Sequence, residues 1–103
     1  MDRKIAIANA TEYANEVLKV FTPQKIIMYG SCAKGTQTQD SDIDVAVIFN
    51  EYTGNWLADS AMLWKLRRGI SDDIEPILLD LTQDQSGFAD MIMKTGQIIY
   101  PAS

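Results

Sequence analysis

The stretch YGSCAKGTQTQDSDIDVAVIF, residues 29–49, decides the fold. It opens on a Gly-Ser pair and closes on the apolar run VAVIF, with Asp40, Asp42 and Asp44 at alternate positions between them. Because the side chains of a strand alternate between its two faces, Asp42 and Asp44 are predicted to share one face, about 6–7 Å apart. Two ionised carboxylates at that separation repel each other unless a positive charge lies between them.

A divalent cation would relieve this repulsion. Mg²⁺ binds through one or two carboxylates together with substrate phosphates, and phosphoryl-transfer sites often hold two such ions about 3.5–4 Å apart. Gly30 allows the backbone to approach a ligand, and Ser31 offers an N–H and a hydroxyl to a phosphate. Taken separately, Asp-x-Asp is also typical of a solvated strand entrance and Gly-Ser of an ordinary turn. Their combination predicts a phosphate site beside metal ligands.

The composition limits the possible functions. A chain of 103 residues predicts one compact domain over residues 1–103. The net charge of −5 disfavours direct binding to a nucleic-acid backbone, and the absence of histidine excludes an imidazole base and a Ser-His triad. The single Cys32 excludes an internal disulfide and suits a reducing cytoplasm. No apolar run approaches the ~20 residues of a membrane span, so we expect a cytoplasmic protein without membrane contact.

The hydrophobic pattern predicts alternating helices and strands, which indicates an α/β or α+β sheet domain. Helices are predicted at 2–20, 56–68 and about 84–95, and strands at 25–29, 42–49 and 73–81, with a short strand or tail at 98–100. Two sets of residues are expected to share a helix face, Ala6, Ala10, Tyr13, Val17 and Val20 on the first helix and Leu57, Ala61 and Trp64 on the second. Phe88, Met91 and Ile92 are expected to point inward from the last helix. Trp56 and Trp64 are expected in the core or an interface, and Met91 and Met93 as core filler. Pro76 confines the 73–81 strand to a sheet edge or to a strand start.

Gly30-Ser31, ten further residues and then Asp42-Ile43-Asp44 form the signature of the nucleotidyltransferase superfamily that includes DNA polymerase beta. The chain resembles a minimal nucleotidyltransferase over most of its length. This resemblance implies a short mixed β-sheet flanked by helices. It also implies that Gly30 and Ser31 hold the nucleotide triphosphate, ATP or another, and that Lys34 contacts a phosphate. Cys32 departs from the larger or basic residue that many relatives carry at its position.

By the same resemblance, Asp42 and Asp44 are expected to bind two Mg²⁺ ions. A third metal ligand, which can also act as the base for the incoming hydroxyl, is expected on the next strand. Glu75 matches that position best. Asp73 is its rival, because strand alternation places Asp73 on the same face as Glu75 and Asp80 on the other.

The resemblance implies a nucleotidyltransferase that moves a nucleoside monophosphate, AMP from ATP, to a hydroxyl acceptor. Family members commonly pair with a small helical HEPN protein encoded beside them and act as its antitoxin. Two alternatives stay open at this point. The fold could serve as a binding module that neutralises a helical partner by occlusion. It could also be the catalytic subunit of an enzyme that acts on an antibiotic, with the substrate domain on another chain. The sequence selects neither the acceptor nor the base, and it leaves a homodimer open.

Overall fold

The computed structural model describes residues 2–36 and 41–102, so Asp40 lies outside the described residues. In chain order the elements are α1 (Arg3–Val17), β1 (Lys25–Tyr29), α2 (Ser31–Lys34), β2 (Ile43–Phe49), α3 (Trp56–Lys65), β3 (Ile74–Asp80), a 3₁₀ turn (Leu81–Gln83), α4 (Phe88–Thr95) and β4 (Gln97–Tyr100). The strands form a sheet in the order β3-β2-β1-β4. Strand β1 is antiparallel to β2 and β4, whereas β2 is parallel to β3. The predicted α/β class and mixed sheet are confirmed.

Both faces of the sheet are covered by helices. One face packs against α1 and α3 and includes Ile26, Met28, Ile43, Val45, Val47, Ile74 and Leu78. The other packs against α4 and includes Ile27, Ala46, Ile48 and Ile92. On the first side, the buried Tyr13 hydroxyl donates a hydrogen bond of 2.7 Å to the Leu63 carbonyl, which joins α1 to α3. The alternation of strand side chains therefore places Asp44 and Glu75 on the α4 face.

Helix α1 follows its predicted face closely. Its N-terminus is capped by the Asp2 carboxylate, which accepts from the Lys4 N–H at 2.9 Å. Ala6, Ala10, Tyr13 and Val17 are buried, as predicted. The helix ends at Val17, however, and Val20 lies outside it and exposed, so the extension of the helix to residue 20 was wrong.

Helix α3 has the predicted shared face but turns it to solvent, whereas helix α4 differs from the prediction in one inward residue. In α3 the core residue is Leu63, whereas Leu57, Ala61 and Trp64 share an exposed face. Each residue step turns a helix by about 100°, so burying Leu63 directs the adjacent Trp64 toward solvent. In α4 Ala89 and Ile92 are buried while Met91 is exposed, so the inward prediction for Met91 was wrong.

Local hydrogen bonds explain the late start of α4. The helix begins at Phe88 rather than near residue 84, because the Asp84 carboxylate accepts from the N–H groups of Ala89 and Asp90 at 2.9 and 3.1 Å. Asp84 thus caps the helix from outside it, across an intervening turn. Strand β3 lies at the sheet edge, as Pro76 predicts. Within residues 2–36 and 41–102, the helices lack the length and apolar character of a membrane-crossing segment.

Candidate active site

Three polar side chains form a row across the sheet where β2 begins. Asp44 on β2 is paired with Tyr29 on β1 and with Glu75 on β3. All three belong to the α4 face, because they alternate with residues that pack against the other helices. Asp42 is exposed and directly precedes β2, where the Ile43 N–H donates to the Asp73 carbonyl at 2.7 Å. The sheet register thus brings together Asp44 and Glu75, which are distant in sequence.

Burial and neighbouring carboxylates raise the pKa values of Asp44 and Glu75. Partial burial, followed by the charge of Asp42, raises the pKa of Asp44 above its ordinary value. Desolvation and the charges of Asp42 and Asp44 raise the pKa of Glu75, and a hydrogen bond between the Glu75 and Asp42 carboxyl groups adds to this. The positive charge of Arg67 opposes the shift at Glu75. The site therefore has an excess of negative charge that a cation or a basic group would neutralise.

Gly30 forms the turn after β1, and its lack of a side chain lets the Asp44 carboxylate lie close to the backbone there. Its backbone lies at φ 75° and ψ −150°, a region that only glycine occupies without strain. A Cβ atom at this position would come within 2.6 Å of the Asp44 Oδ2 atom. The missing side chain leaves a cradle between the turn and the carboxylate. A phosphate oxygen bound by backbone N–H groups would need the same close approach.

Helix α2 follows this turn and is tied to Asp42. Cys32 is buried, and its thiol donates to the Asp42 carbonyl at 3.3 Å. Burial, followed by the charge of Asp44, raises the pKa of Cys32, so its thiol stays protonated and serves packing rather than phosphate binding. Ser31 is half-buried at the start of α2, and Lys34 is exposed in its last turn. The predicted helical turn after Ser31 is confirmed.

The donor set of the row suits a hard divalent cation, which prefers carboxylate oxygens. Asp42, Asp44 and Glu75 already interact electrostatically, and the Gly30 cradle lies beside Asp44. As the side chains stand, no three acidic or cysteine groups within residues 2–36 and 41–102 form a cluster that could hold a metal ion. The arrangement is therefore a row of acidic side chains beside the Gly30 turn, and not a finished coordination cage.

The two rival carboxylates lie in different places. Asp73 directly precedes β3 and is exposed, and its N–H donates to the Ser71 hydroxyl at 3.1 Å. Asp80 ends β3 at the opposite end of the strand, where its carboxylate accepts from the Thr82 N–H and hydroxyl at 2.9 and 2.6 Å. Of the acidic residues on β3, Glu75 is the one in register with Asp44.

The chain matches one protein family over most of its length. The sequence profile described as "Polymerase beta, Nucleotidyltransferase" matches residues 12–103. The chain belongs to this nucleotidyltransferase family. The match includes Gly30-Ser31, Asp42, Asp44 and the strand that carries Glu75. No curated protein sequence matches the nucleotidyltransferase chain significantly.

Two solved structures share the nucleotidyltransferase fold. A candidate nucleotidyltransferase from Sulfolobus solfataricus is 22% identical with a TM-score of 0.68, and the match covers 93% of this chain and 80% of the other. A structure described as a toxin-antitoxin with AMP-PNP is 24% identical with a TM-score of 0.68, and the match covers 92% of this chain and 75% of the other. At these identities the likeness establishes the fold.

Sequence reasoning missed two residues beside the nucleotidyltransferase site. Tyr29 is half-buried, contacts Phe88 edge-on at 5.8 Å, and has its pKa raised by burial and by the charges of Asp44 and Glu75. Arg67 donates to the Asp72 carbonyl and, at 3.4 Å, to the Ile74 carbonyl. The position of Tyr29 directly before Gly30 was the only available signal for it. The sequence offered no signal for Arg67, because its hydrogen-bond partners follow it across a turn whose shape the sequence does not reveal.

Proposed function

We propose that this nucleotidyltransferase uses Mg²⁺ and transfers AMP from ATP to a hydroxyl of a partner protein. The observation that carries the proposal is the register of Asp44 with Glu75 beside the Gly30 cradle. Burial and the charge of Asp42 raise the pKa of Asp44, and burial and the charges of Asp42 and Asp44 raise the pKa of Glu75, so these carboxylates would gain from a shared divalent cation. The Gly30 turn would let the phosphates that such a cation accompanies come close to the backbone. This combination is typical of phosphoryl-transfer sites.

The residues would divide the reaction between them. The Gly30 backbone and Ser31 would hold the triphosphate, and Lys34 would reach its outer oxygens from α2. Asp42, Asp44 and Glu75 would hold the Mg²⁺ ions, which neutralise charge on the attacking and leaving oxygens when bound. The acceptor oxygen would bond to the α-phosphorus as the bond to pyrophosphate breaks. Glu75, with its raised pKa, would take the hydroxyl proton.

A protein acceptor is favoured by the surroundings of the site. The chain has a net charge of −5, and the row itself is acidic, so a nucleic-acid acceptor would be repelled. The structural neighbour described as a toxin-antitoxin with AMP-PNP supports an ATP-type nucleotide and a toxin partner. We infer that the partner is a HEPN-type helical protein encoded beside this chain, and that this chain is its antitoxin.

A second candidate function is occlusion of the same partner without transfer. It is favoured by the lack, among the described residues, of a ready cluster of three metal ligands. The experiment that separates the two mixes this protein, Mg²⁺, α-labelled nucleoside triphosphates and the purified neighbouring protein. Label on the partner that disappears with Asp42→Asn and Asp44→Asn supports transfer. Tight complex formation without label, unaffected by either substitution, supports occlusion.

A matched pair of substitutions tests the third carboxylate. Glu75→Gln is expected to lower the transfer rate by about 10²-fold, since it removes both a metal ligand and a proton acceptor. Asp73→Asn, two residues earlier, is expected to change the rate less than about threefold, because Asp73 is not in register with Asp44. Initial rates of label transfer measure both. The reverse ranking would assign the role to Asp73.

A further inference from the structure

The outer face of α3 is unusually apolar for a surface helix. Both tryptophans of the chain lie on it, with Trp56 56% and Trp64 42% exposed, and Leu57 beside them is 74% exposed. Lys65 and Arg68 follow on the same helix end and are also exposed. We call these five residues the α3 patch. Large apolar side chains grouped in this way on a surface mark interaction sites, whereas single exposed ones do not.

A cavity of about 260 Å³ lies between the α3 patch and the edge strand β3. Trp56 and Trp64 form its rims, and Leu63, Pro76 and Leu78 are among its apolar walls. The Ser60 hydroxyl also lines it and lacks both solvent contact and a hydrogen-bond partner within residues 2–36 and 41–102. Buried hydroxyls normally have a partner. A cavity of this size and lining suits one apolar side chain of another molecule.

The charge beside this cavity has the opposite sign to that of the whole chain. Lys65, Arg67 and Arg68 line a neighbouring cavity of about 320 Å³ together with Trp64. The Arg67 guanidinium lies 4.8 Å above the Trp64 ring. Among the described residues, none of these three cations forms an ion pair with a carboxylate. The charges of the exposed Lys65 and Arg68 are left for a negatively charged partner, since complementary charge governs encounter and register at interfaces.

Charge also argues against a second copy of this chain as the occupant. A two-fold interface through the α3 patch would bring the same basic residues of both copies face to face. Such like-charge contacts oppose association. A nucleic-acid strand carries a phosphate at every nucleotide, so it would also meet the exposed Asp72, Asp73 and Glu75 next to the cations. A protein segment can confine its acidic residues to the part that faces Lys65 and Arg68. An acidic protein segment with an apolar anchor fits the α3 patch better than either.

The α3 patch adjoins the strand that carries Glu75. Pro76, which follows Glu75 directly, lines the cavity between the tryptophans. Arg67 donates to the carbonyl of Ile74, the residue before Glu75. A segment docked on the α3 patch would therefore pass the β3 edge next to the carboxylate row. Its neighbouring residues could reach the site without any movement of the sheet.

We propose that the α3 patch binds an acidic segment of the acceptor protein, with one apolar side chain of that segment inserted between Trp56 and Trp64. Docking there presents the acceptor hydroxyl to Glu75. The inference rests on the proposed function for its acceptor, but it concerns a different surface from the nucleotide site. It can therefore fail or succeed separately.

The test measures binding of the neighbouring HEPN-type protein by calorimetry, with Mg-ATP binding measured in parallel. The first variant is Lys65→Glu/Arg68→Glu, and the second is Leu57→Ser. The matched control is Lys4→Glu/Lys19→Glu, which makes the same change of charge on exposed residues around α1. We expect each patch variant to weaken partner binding at least about tenfold, the control less than about twofold, and Mg-ATP binding to stay unchanged throughout.

Partner binding that survives both patch variants, with normal Mg-ATP binding, would overturn the inference and leave the proposed function intact. Failure of the wild-type protein to bind this partner would overturn both the inference and the partner named in the proposed function. Sedimentation that shows a dimer dissolved by Leu57→Ser, or single-stranded RNA binding lost in the patch variants, would assign the surface to another occupant and also overturn it. Lost partner binding in a protein that never binds Mg-ATP would support the docking surface and reject the transfer chemistry.

Discussion

Asp44 and Ile48 lie on the same face of strand β2 but in opposite surroundings. Asp44 is half-buried between Tyr29 and Glu75, and its pKa is raised by burial and by Asp42. Ile48 is fully buried and packs with the apolar residues under α4. On this one face of β2, the carboxylate near the start of the strand opposes stability and the isoleucine near its end supplies it. Substitutions at the two positions should therefore have opposite effects on rate and on stability.

The largest effect is expected from Asp44→Asn. The transfer rate should fall by about 10³-fold, because a proposed ligand of the Mg²⁺ that would neutralise the reacting phosphates is lost. The free energy of unfolding at pH 7 should stay equal or rise, since a raised pKa means that the ionised carboxylate destabilises the native state. Label transfer and urea unfolding measure the two quantities.

The control for Asp44→Asn is Asp90→Asn, which removes an exposed carboxylate paired with Lys94 at 2.9 Å. It should leave the rate unchanged and alter stability by less than about 0.5 kcal/mol. If Asp44→Asn retained more than a tenth of the activity, or lost over about 1 kcal/mol of stability, Asp44 would be a structural residue.

The second prediction concerns Ile48, the buried residue of the comparison. Ile48→Ala should lower the free energy of unfolding by about 2–5 kcal/mol, because it leaves a cavity in the core under α4. The rate per folded molecule should change less than about twofold. Ile48→Val, which leaves a smaller cavity, replaces the alanine variant if that variant does not fold. Ile98→Ala, at a residue 44% exposed on β4, is the matched control and should cost far less. Equal losses at both positions would contradict the core assignment.

Sequence predicted those parts of the fold that depend on neighbours along the chain. The inward residues of α1 recur at helical spacing, and Gly30, Asp42 and Asp44 lie within one short stretch, so both were visible. The outward turn of Trp64 and Met91 was not, because size and hydrophobicity alone cannot decide between adjacent helix positions. Leu63 and Ile92 fill the core instead, as only the packed sheet determines.

The candidate site also combines residues that the sequence could locate with residues whose place depends on the packed sheet. That Glu75, and not Asp73, lies opposite Asp44 follows from the register of β2 and β3, which are joined by the whole of α3. A register shift of two residues would have placed Asp73 opposite Asp44 on the same face. The sequence could name both candidates but not choose between them. Tyr29 entered the row for the same reason, through its pairing with Asp44 on the other side.

The third prediction compares two glycines with the same φ of 75°. Gly30→Ala should cost about 2 kcal/mol or more and reduce transfer sharply, because its Cβ would displace the Asp44 carboxylate. Gly35→Ala meets open space and should cost about 1 kcal/mol through backbone strain alone. Urea unfolding and Mg-ATP binding of both variants test this. If the two variants lost nucleotide affinity equally, the cradle beside Asp44 would not be the binding feature.

The smallest expected effect is on the pH dependence of stability without metal. Asp44 and Glu75 have raised pKa values, so the native state binds protons more tightly than the unfolded chain, and stability should fall as pH rises through those values. At partly exposed groups the effect should stay below about 1 kcal/mol between pH 4 and pH 7. Asp44→Asn should flatten the slope. The pKa of Asp80 is lowered by hydrogen bonds from Thr82, so Asp80→Asn should change the slope in the opposite sense.

Adding Mg²⁺ extends this test of the pH dependence of stability. A divalent ion bound to the row would favour the ionised carboxylates, so its addition should stabilise the wild-type protein more at pH 7 than at pH 4. The stabilisation should be absent in Asp44→Asn and present in Asp80→Asn, whose carboxylate lies at the far end of β3. Thermal unfolding with and without Mg²⁺ measures it. Equal stabilisation of both variants would mean that the ion binds elsewhere on this acidic chain, and that mutual repulsion within the row is not what draws it.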